Sequence, residues 1–368
     1  MKPQHEHLRI AAHNGAPEWG GAEIAVCRLL AGLRDRGHAV RLYYNRDVIA
    51  RGAASFGLET EHLHVGGDGA LHHGPKVALA LHGWEPDVLV IGTFRKLLHL
   101  AIGARLIGVP VVSRIGMSTD MPRNSKYRFL FRNLVDRVVV NAQDIRRAFV
   151  EQLPDFPPEH VVVITAGYRP TATPSRSAAR QALGLPENAF VIGALSRLVE
   201  QKRLDCWIDV VAALGGEGTG LVAGDGPLRD ELEARAQLRQ APVQFLGHLD
   251  DPSIALAAMD VLLITSEREG LSNAMIEALA HGVPVVSTPV SGAREALGDD
   301  GEGAAGIVVD GFESAKLTAA LEPLVRDPGQ LARLAGAARR RAASRFDEAT
   351  MLDRWERVLA DAASRRRP

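Results

Sequence analysis

An alternation that runs through the chain twice limits what it can fold into. Short apolar runs rich in branched residues alternate with longer amphipathic stretches, first at Leu8 to Ala12, Val40 to Tyr44, Val88 to Ile91, Val109 to Ser113, Arg137 to Val140 and Val161 to Ile164. Such runs suit strands buried on both faces, and the stretches between them suit crossover helices, so the series reads as an α/β unit built on a parallel sheet. Gly167 to Ser177 (GYRPTATPSRS), rich in Pro, Thr and Ser, reads as a linker. The series then restarts through Val191, Val222, Val243, Val261, Val285 and Ile307. At 368 residues the chain has room for two such domains, and the expected boundaries are 1–170 and 171–346. Ligand motifs at the carboxyl ends of the second series predict a central cleft that both domains face.

Composition excludes several classes. A hydrophobic fraction of 46% is ordinary for a globular α/β protein. Cys27 and Cys206 lie far apart and give neither a disulfide framework nor a metal-ligand spacing, and no acidic D-x-D triplet occurs. No metal or cofactor is expected. The amino terminus lacks a signal-peptide stretch, and no run approaches the roughly 18 apolar residues of a membrane span. A bacterial, cytoplasmic protein is the expectation, the first part because arginine far outnumbers lysine and alanine is abundant. The net charge of −1 and the lack of a recognisable module argue against nucleic-acid binding. Residues 1–170 hold 21 Lys and Arg against 16 Asp and Glu, and the remainder 22 against 28, so the first half is mildly basic. That asymmetry suits an anionic acceptor or a peripheral position on an anionic inner-membrane face.

The most informative segment is Ser266 to Gly292 (SEREGLSNAMIEALAHGVPVVSTPVSG). Val261 to Thr265 reads as a buried strand, Ser266 to Leu271 as a polar loop, and a helix is expected to start near Ser272 or Asn273, both good N-cap types. The first amides of such a helix lack intrahelical partners and sit at the positive end of its dipole, which suits a phosphate. Glu269 before the helix and Glu277 about one turn inside it are placed to accept from sugar or ribose hydroxyls, although either could equally be a solvated charge.

Upstream, Ala194 to Lys202 (ALSRLVEQK) puts Arg197 and Lys202 just beyond a strand at Phe190 to Leu195. Two fixed cations there could stabilise a departing diphosphate. Gly224, Asp225, Gly226 and Pro227 follow an apolar run and read as a tight turn where backbone approaches a ligand closely. Arg229 stands where a dinucleotide fingerprint needs its third glycine, which disfavours a dehydrogenase. In the first half, Trp19 to Glu23 (WGGAE) places Gly20 and Gly21 at a helix start near Ala22.

The 266–292 segment resembles the signature of the family 4 retaining glycosyltransferases, with thirteen matching positions: Glu269, Gly270, Leu271, Asn273, Glu277, Ala278, Ala280, Gly282, Pro284, Val285, Val286, Thr288 and Gly292. Arg197 and Lys202 resemble the family's "GRLxxxKG" cations, the 224–227 turn its "GDGP", Phe245 to Gly247 its "FLG", and Gly20 and Gly21 its "GGAE" loop. The resemblance implies a GT-B fold with the acceptor on the first domain and a nucleotide-diphosphate sugar on the second. It also implies a final helix, about 347–365, that packs back on the first domain. Arg197, Lys202 and Glu269 would then be catalytic. Gly20, Gly21, Gly224, Leu246, Gly270, Leu271, Ser272, Asn273 and Glu277 would bind the donor, with Glu277 on the ribose. The product would be an α-linkage to a hydroxyl of a glycan, a lipid-linked or a small-molecule acceptor, as in cell-envelope glycan or glycoconjugate biosynthesis. UDP-, GDP- and ADP-sugars all stay open.

The chain departs from the family pattern in four places. Ser196 and Arg203 stand where glycines are usual, and Ala166-Gly167 replaces an "NG" pair. After the fourth strand run the sequence is Ser113, Arg114, Ile115, Gly116, without the histidine that reaches the donor sugar in many members. His13, Arg95, His99 and Arg114 are candidates to act on the acceptor side instead. Two alternative functions stay open: a GT-B sugar-nucleotide epimerase, against which the spacing and frame of Glu269 and Glu277 argue, and a non-catalytic nucleotide-sugar-binding protein, which the missing histidine keeps open. Met121 to Val135 (MPRNSKYRFLFRNLV), if helical, could lie on a membrane interface, cradle a charged acceptor, or bury its aromatic face in the ordinary way.

Overall fold

Branched apolar side chains in register build the first sheet: Ile10 lies between Val40 and Val88, Leu89 opposite Val111, and Val138 opposite Val161, all in parallel pairs. The structure, a computed structural model, describes residues 7–67, 72–93, 96–117, 121, 124–170, 173–298 and 303–365. The chain divides into two units, Met1–Ala166 with Ala349–Pro368, and Gly167–Glu348.

In the first unit the strands are β1 (Arg9–Asn14), β2 (Ala39–Tyr44), β3 (Glu59–His62), β4 (Val88–Ile91), β5 (Val111–Ile115), β6 (Arg137–Val140) and β7 (Val161–Val163). The intervening helices are α1 (Gly21–Asp35), α2 (Asp47–Ala54), α3 (His73–His82), α4 (Leu97–Leu106), α5 (Ser125–Leu134) and α6 (Gln143–Gln152). The sheet order β3-β2-β1-β4-β5-β6-β7 reverses direction between β1 and β4. Side chains of α3 to α6 share one core cluster with the sheet, and those of α1 and α2 share another.

One strand was missed, and the bounds of β1, β2, β5 and β7 shift by one or two residues from the sequence reading. β3 was not anticipated, because Glu59–His62 is polar and largely exposed at the sheet edge, without the apolar signal of a buried strand. β5 starts at Val111 instead of Val109. Pro110 has no N–H to give to a ladder, and its carbonyl accepts from Leu89.

The second unit holds α7 (Arg176–Leu183), β8 (Phe190–Leu195), α8 (Leu204–Ala213), β9 (Gly218–Ala223), α9 (Arg229–Leu238), β10 (Val243–Gly247), α10 (Ser253–Ala258) and β11 (Val261–Ile264). It continues with α11 (Asn273–His281), β12 (Val285–Ser287), α12 (Ala293–Leu297), β13 (Gly306–Val308), α13 (Ser314–Arg326) and α14 (Pro328–Arg345). Its order β10-β9-β8-β11-β12-β13 reverses between β8 and β11. Part of the expected linker belongs to this unit: Tyr168 N–H donates to the Phe346 carbonyl at 2.8 Å, and Ser175 caps α7 by accepting from Ala178 N–H.

The last helix, α15 (Glu348–Ala363), belongs to the first unit. Met351, Leu352, Trp355 and Leu359 join the α1 and α2 core cluster, and Arg36 pairs with Asp353 at 2.6 Å and with Glu356 at 2.9 Å. Arg137 pairs with Asp361.

A buried ion pair sets the start of the two central strands of the second unit. Arg180 on α7 is 0% exposed and donates to Asp260 Oδ2 at 2.7 Å and to the carbonyls of Ala258, Glu187 and Ala189. The same Asp260 oxygen accepts from Val191 N–H at 2.7 Å, which joins the beginning of β8 to the beginning of β11. Arg176 also pairs with Asp260, through Oδ1 at 2.7 Å but from a half-exposed side chain, so losing Arg180 removes the buried counter-charge and the donors to three carbonyls. Arg180→Met is expected to destabilise the second unit by about 3–5 kcal/mol in urea unfolding. A loss below about 1 kcal/mol would mean that this guanidinium does not hold the strand starts.

Candidate active site

Loops that leave adjacent strands on opposite sides of a topological reversal form a crevice at the carboxyl edge of a parallel sheet. In the second unit those strands are β8 and β11, which pair through Ile192 with Val261 and Gly193 with Leu262. The loop after β8 carries Arg197 and Lys202, and the loop after β11 carries Glu269. Lys202 Nζ lies 2.9 Å from Glu269 Oε1, with the side chains only 19% and 11% exposed. Ser266 Oγ donates to the same carboxylate oxygen at 2.6 Å. Lys202 and Glu269, each marked as functional by its own sequence motif, are thus direct partners.

Backbone bonds hold the two loops together. Thr265 Oγ1 donates to the Lys202 carbonyl at 2.8 Å, Glu267 N–H to the Gln201 carbonyl at 3.0 Å, and Gln201 Nε2 to the Arg268 carbonyl at 2.5 Å. From just beyond the next strand, β12, Thr288 Oγ1 donates to the Ser266 carbonyl at 2.7 Å. Sequence reasoning singled out none of Gln201, Thr265 or Ser266 as functional. Thr288, which fixes the loop, was visible only as one position of the family frame.

Lys202 ends a short 3-10 turn, Glu200–Lys202, and the next residue, Arg203, has φ of 51°. The family resemblance puts a glycine at that position, and the left-handed backbone gives the physical reason. Here an arginine takes the conformation, with its guanidinium on Asp205 and on Glu267 at 3.1 Å each. Arg197 is exposed on the same loop.

The 224–227 turn packs against this loop. Gly224 has φ of 143°, and a Cβ on it would fall 1.8 Å from the Ser196 carbonyl oxygen. A Cβ on Gly226 would fall 2.5 Å from the Leu198 carbonyl oxygen. Leu198 N–H donates to the Asp225 carbonyl, and Gly224 N–H to the Gly247 carbonyl. These glycines are needed for the approach of one loop to another, where the sequence reading assigned them to the approach of a ligand. Leu246, half-buried on the edge strand β10, neighbours this turn.

Helix α11 begins at Asn273, as the N-cap types predicted, and Ser272 caps it with no side-chain bond. Gly270, Leu271 and Ser272 are buried. Glu277 is 9% exposed, far less than a solvated surface charge would be.

In the first unit, Gly20 is the N-cap of α1 and Gly21 its first residue, both at least partly exposed. His13 and His99 are each 1% exposed, and both bind the loop that follows β3. His13 Nε2 contacts Asn45 Oδ1 at 3.1 Å and the Leu63 carbonyl at 3.3 Å, and His99 Nε2 the Gly67 carbonyl at 3.0 Å. Lys96 Nζ donates to the Gly66 carbonyl of that same loop. The imidazoles proposed for an acceptor are thus engaged in holding a loop. Arg114 is half-buried within β5, and Arg95 lies outside the described residues. No group of three or more His, Cys, Asp or Glu among the described residues could hold a metal ion. Cys27 and Cys206 are unpaired, and burial pushes their thiols up to about 12 and about 11.

Comparison with known proteins gives this geometry its class. The pattern described as Glycosyl transferases group 1 matches residues 189–327, and that described as Glycosyltransferase Family 4 matches residues 19–171. The Anabaena protein Alr3699/HepE, solved in complex with UDP and glucose, superposes with a TM-score of 0.83 at 24% identity, over 96% of this chain and 100% of that one. The two units are Rossmann-like, and the fold is GT-B.

The lipopolysaccharide core biosynthesis glycosyltransferase LpsE of Rhizobium meliloti (strain 1021) is 31% identical over 251 residues, 68% of this chain and 69% of that protein. A D-inositol 3-phosphate glycosyltransferase of Thermobispora bispora is 31% identical over 254 residues, 63% of this chain but only 58% of its own length. The chain belongs to the group 1, family 4 glycosyltransferases.

Burial lowers the His13 imidazole to about 4, so it stays neutral in the folded chain across the range where the unfolded chain takes up a proton near 6.5. Its contribution to stability is therefore complete above about pH 6.5 and declines as pH falls toward about 4, by at most about 3 kcal/mol. The unfolding midpoint should drop between pH 7 and pH 5, and less steeply in His13→Gln. An equal drop in the two proteins would assign the acid sensitivity to other groups.

Proposed function

We propose that the chain is a retaining glycosyltransferase that moves a hexose or related sugar from a nucleotide diphosphate to a hydroxyl acceptor, forming an α-linkage. The observation that carries this reading is the 2.9 Å contact of Lys202 with Glu269 at the β8 and β11 reversal, beside the amino end of α11. On donor binding the diphosphate takes Lys202 and Arg197, with the amides at Leu271 to Asn273 as further donors. Glu269, released from the lysine, accepts from sugar hydroxyls. Glu277 holds the ribose, and Gly224 and Leu246 neighbour the nucleotide. The acceptor hydroxyl attacks from the face of the leaving diphosphate, which takes its proton, so no separate base is required. The reaction proceeds without a metal ion.

The assignment of the acceptor to the first unit, with Gly20 and Gly21 near the ligand, rests on the family resemblance. The four acceptor-side candidates rest on the same resemblance: Arg95 lies outside the described residues, His13 and His99 each have one ring nitrogen on the 63–67 loop, and Arg114 lies half-buried in β5. The named relatives favour an acceptor in cell-envelope glycan or glycoconjugate synthesis, since LpsE is described as acting in lipopolysaccharide core biosynthesis. A uridine donor is the first to try, because Alr3699/HepE was solved with UDP-glucose.

Calorimetry against UDP, GDP, ADP and their hexose conjugates, with EDTA present, should find one conjugate bound selectively, and binding should weaken in Arg197→Ala and Lys202→Ala. Removing a fixed charge at a developing anion lowers turnover by roughly 10²–10³. Lys202→Ala and Glu269→Ala should each lose at least that much transfer while unfolding like the wild type. Wild-type transfer in either variant would refute the assigned roles. Conversion of the donor without acceptor would indicate an epimerase, and binding without any release of nucleotide a non-catalytic protein.

A further inference from the structure

Both donors that reach the Glu269 carboxylate reach the same oxygen. Lys202 Nζ lies 2.9 Å from Oε1, and Ser266 Oγ donates to that atom at 2.6 Å. Oε2 has no hydrogen-bond partner among the described residues and stays open to solvent. One oxygen is therefore anchored, and the other is left to accept from a ligand.

The two anchors differ in what they can do when a diphosphate arrives. An ammonium on a flexible four-carbon stem can turn to an anion. Ser266 cannot follow it. The residue is 2% exposed, and its backbone is fixed from beyond β12 by Thr288, itself 0% exposed. Thr288 N–H donates to the Ile264 carbonyl at 3.0 Å, and its Oγ1 to the Ser266 carbonyl at 2.7 Å. The serine hydroxyl has a single side-chain torsion to set and no charge for a phosphate to recruit, so little rotamer entropy is lost in keeping it on Glu269.

We propose that Ser266 is the positioning residue that keeps Glu269 aimed at the sugar once the diphosphate has taken Lys202. The inference rests on the roles given above to Lys202 and Glu269. Ser266 then holds Oε1 alone, and Oε2 keeps the direction from which it accepts a sugar hydroxyl. Without the serine the carboxylate loses both anchors in the step that needs it aimed, because the terminal torsion of a glutamate is broad and two-fold. In the resting chain the same substitution is masked, since Lys202 still fixes Oε1.

Calorimetry of the full chain with UDP, GDP and ADP, and with their glucose, galactose and mannose conjugates, separates the two halves of the donor. Affinity for the diphosphate reports Lys202 and Arg197, and the advantage of a conjugate over its own diphosphate reports Glu269. In the wild type one conjugate should bind at least about 10-fold tighter than its diphosphate. Ser266→Ala should leave affinity for that diphosphate within about 2-fold. It should cut the conjugate's advantage by about 10-fold, as expected for a lost hydrogen bond to a charged group. Glu269→Ala should abolish the advantage, and Ser266→Ala added to it should cause no further loss, because the hydroxyl acts only through that carboxylate.

Three results would overturn the proposal while the donor roles of Lys202 and Glu269 stand: an undiminished advantage in Ser266→Ala, an equal loss of diphosphate and conjugate affinity, or a further loss in the double variant. A wild type that binds no conjugate better than its diphosphate would overturn those roles, and this proposal with them.

Discussion

The candidate site depends on β8 and β11 lying side by side, although nearly the whole first half of the second unit separates them in sequence. Parallel strands that far apart become neighbours only where the winding of the sheet reverses, and the loops beyond them then diverge to leave room for a ligand. Two contacts fix that adjacency from opposite ends. At the strand starts, the Asp260 carboxylate accepts from the Val191 amide while Arg180 holds it from below. Beyond the strand ends, Lys202 meets Glu269, and the Thr265 hydroxyl reaches the lysine's own carbonyl. The first contact is buried and structural, and the second is partly open and available to chemistry.

Most of this was legible in the sequence because it depends on local signals. The branched runs marked all but one of the thirteen strands among the described residues, Ser272 and Asn273 marked the start of α11, and the frame around Glu269 and Glu277 marked the loop of the candidate site. β3 escaped because an exposed edge strand needs no apolar residues, and Glu59–His62 has none. The Arg180 and Asp260 pair escaped for a different reason. An arginine on a short amphipathic helix looks like a surface residue until tertiary structure closes over it, and nothing local distinguishes the two fates.

Glycines and histidines show how a residue can stand out in the sequence while its packing partners stay hidden. Gly224 and Gly226 stood out as ligand-approach positions, yet the atoms that exclude a side chain there belong to Ser196 and Leu198. Arg203 is the converse, a non-glycine in the left-handed conformation for which the family resemblance supplies a glycine. His13 and His99 were candidates to replace a missing histidine, and the structure instead puts both at the anchor of one loop. In each case the residue type was informative, but the partner was visible only in three dimensions.

The contact between Lys202 and Glu269 also bears on which anions this corner of the crevice would attract. With its ammonium already neutralised by a carboxylate 2.9 Å away, that corner of the crevice offers little net attraction to a small free anion. Inorganic phosphate could take the lysine only by leaving Glu269 without a counter-charge. Under the proposed roles a sugar diphosphate would offer anionic oxygens to the lysine and hydroxyl donors to the glutamate at once, so the ion pair would favour a ligand that carries both over one that carries either.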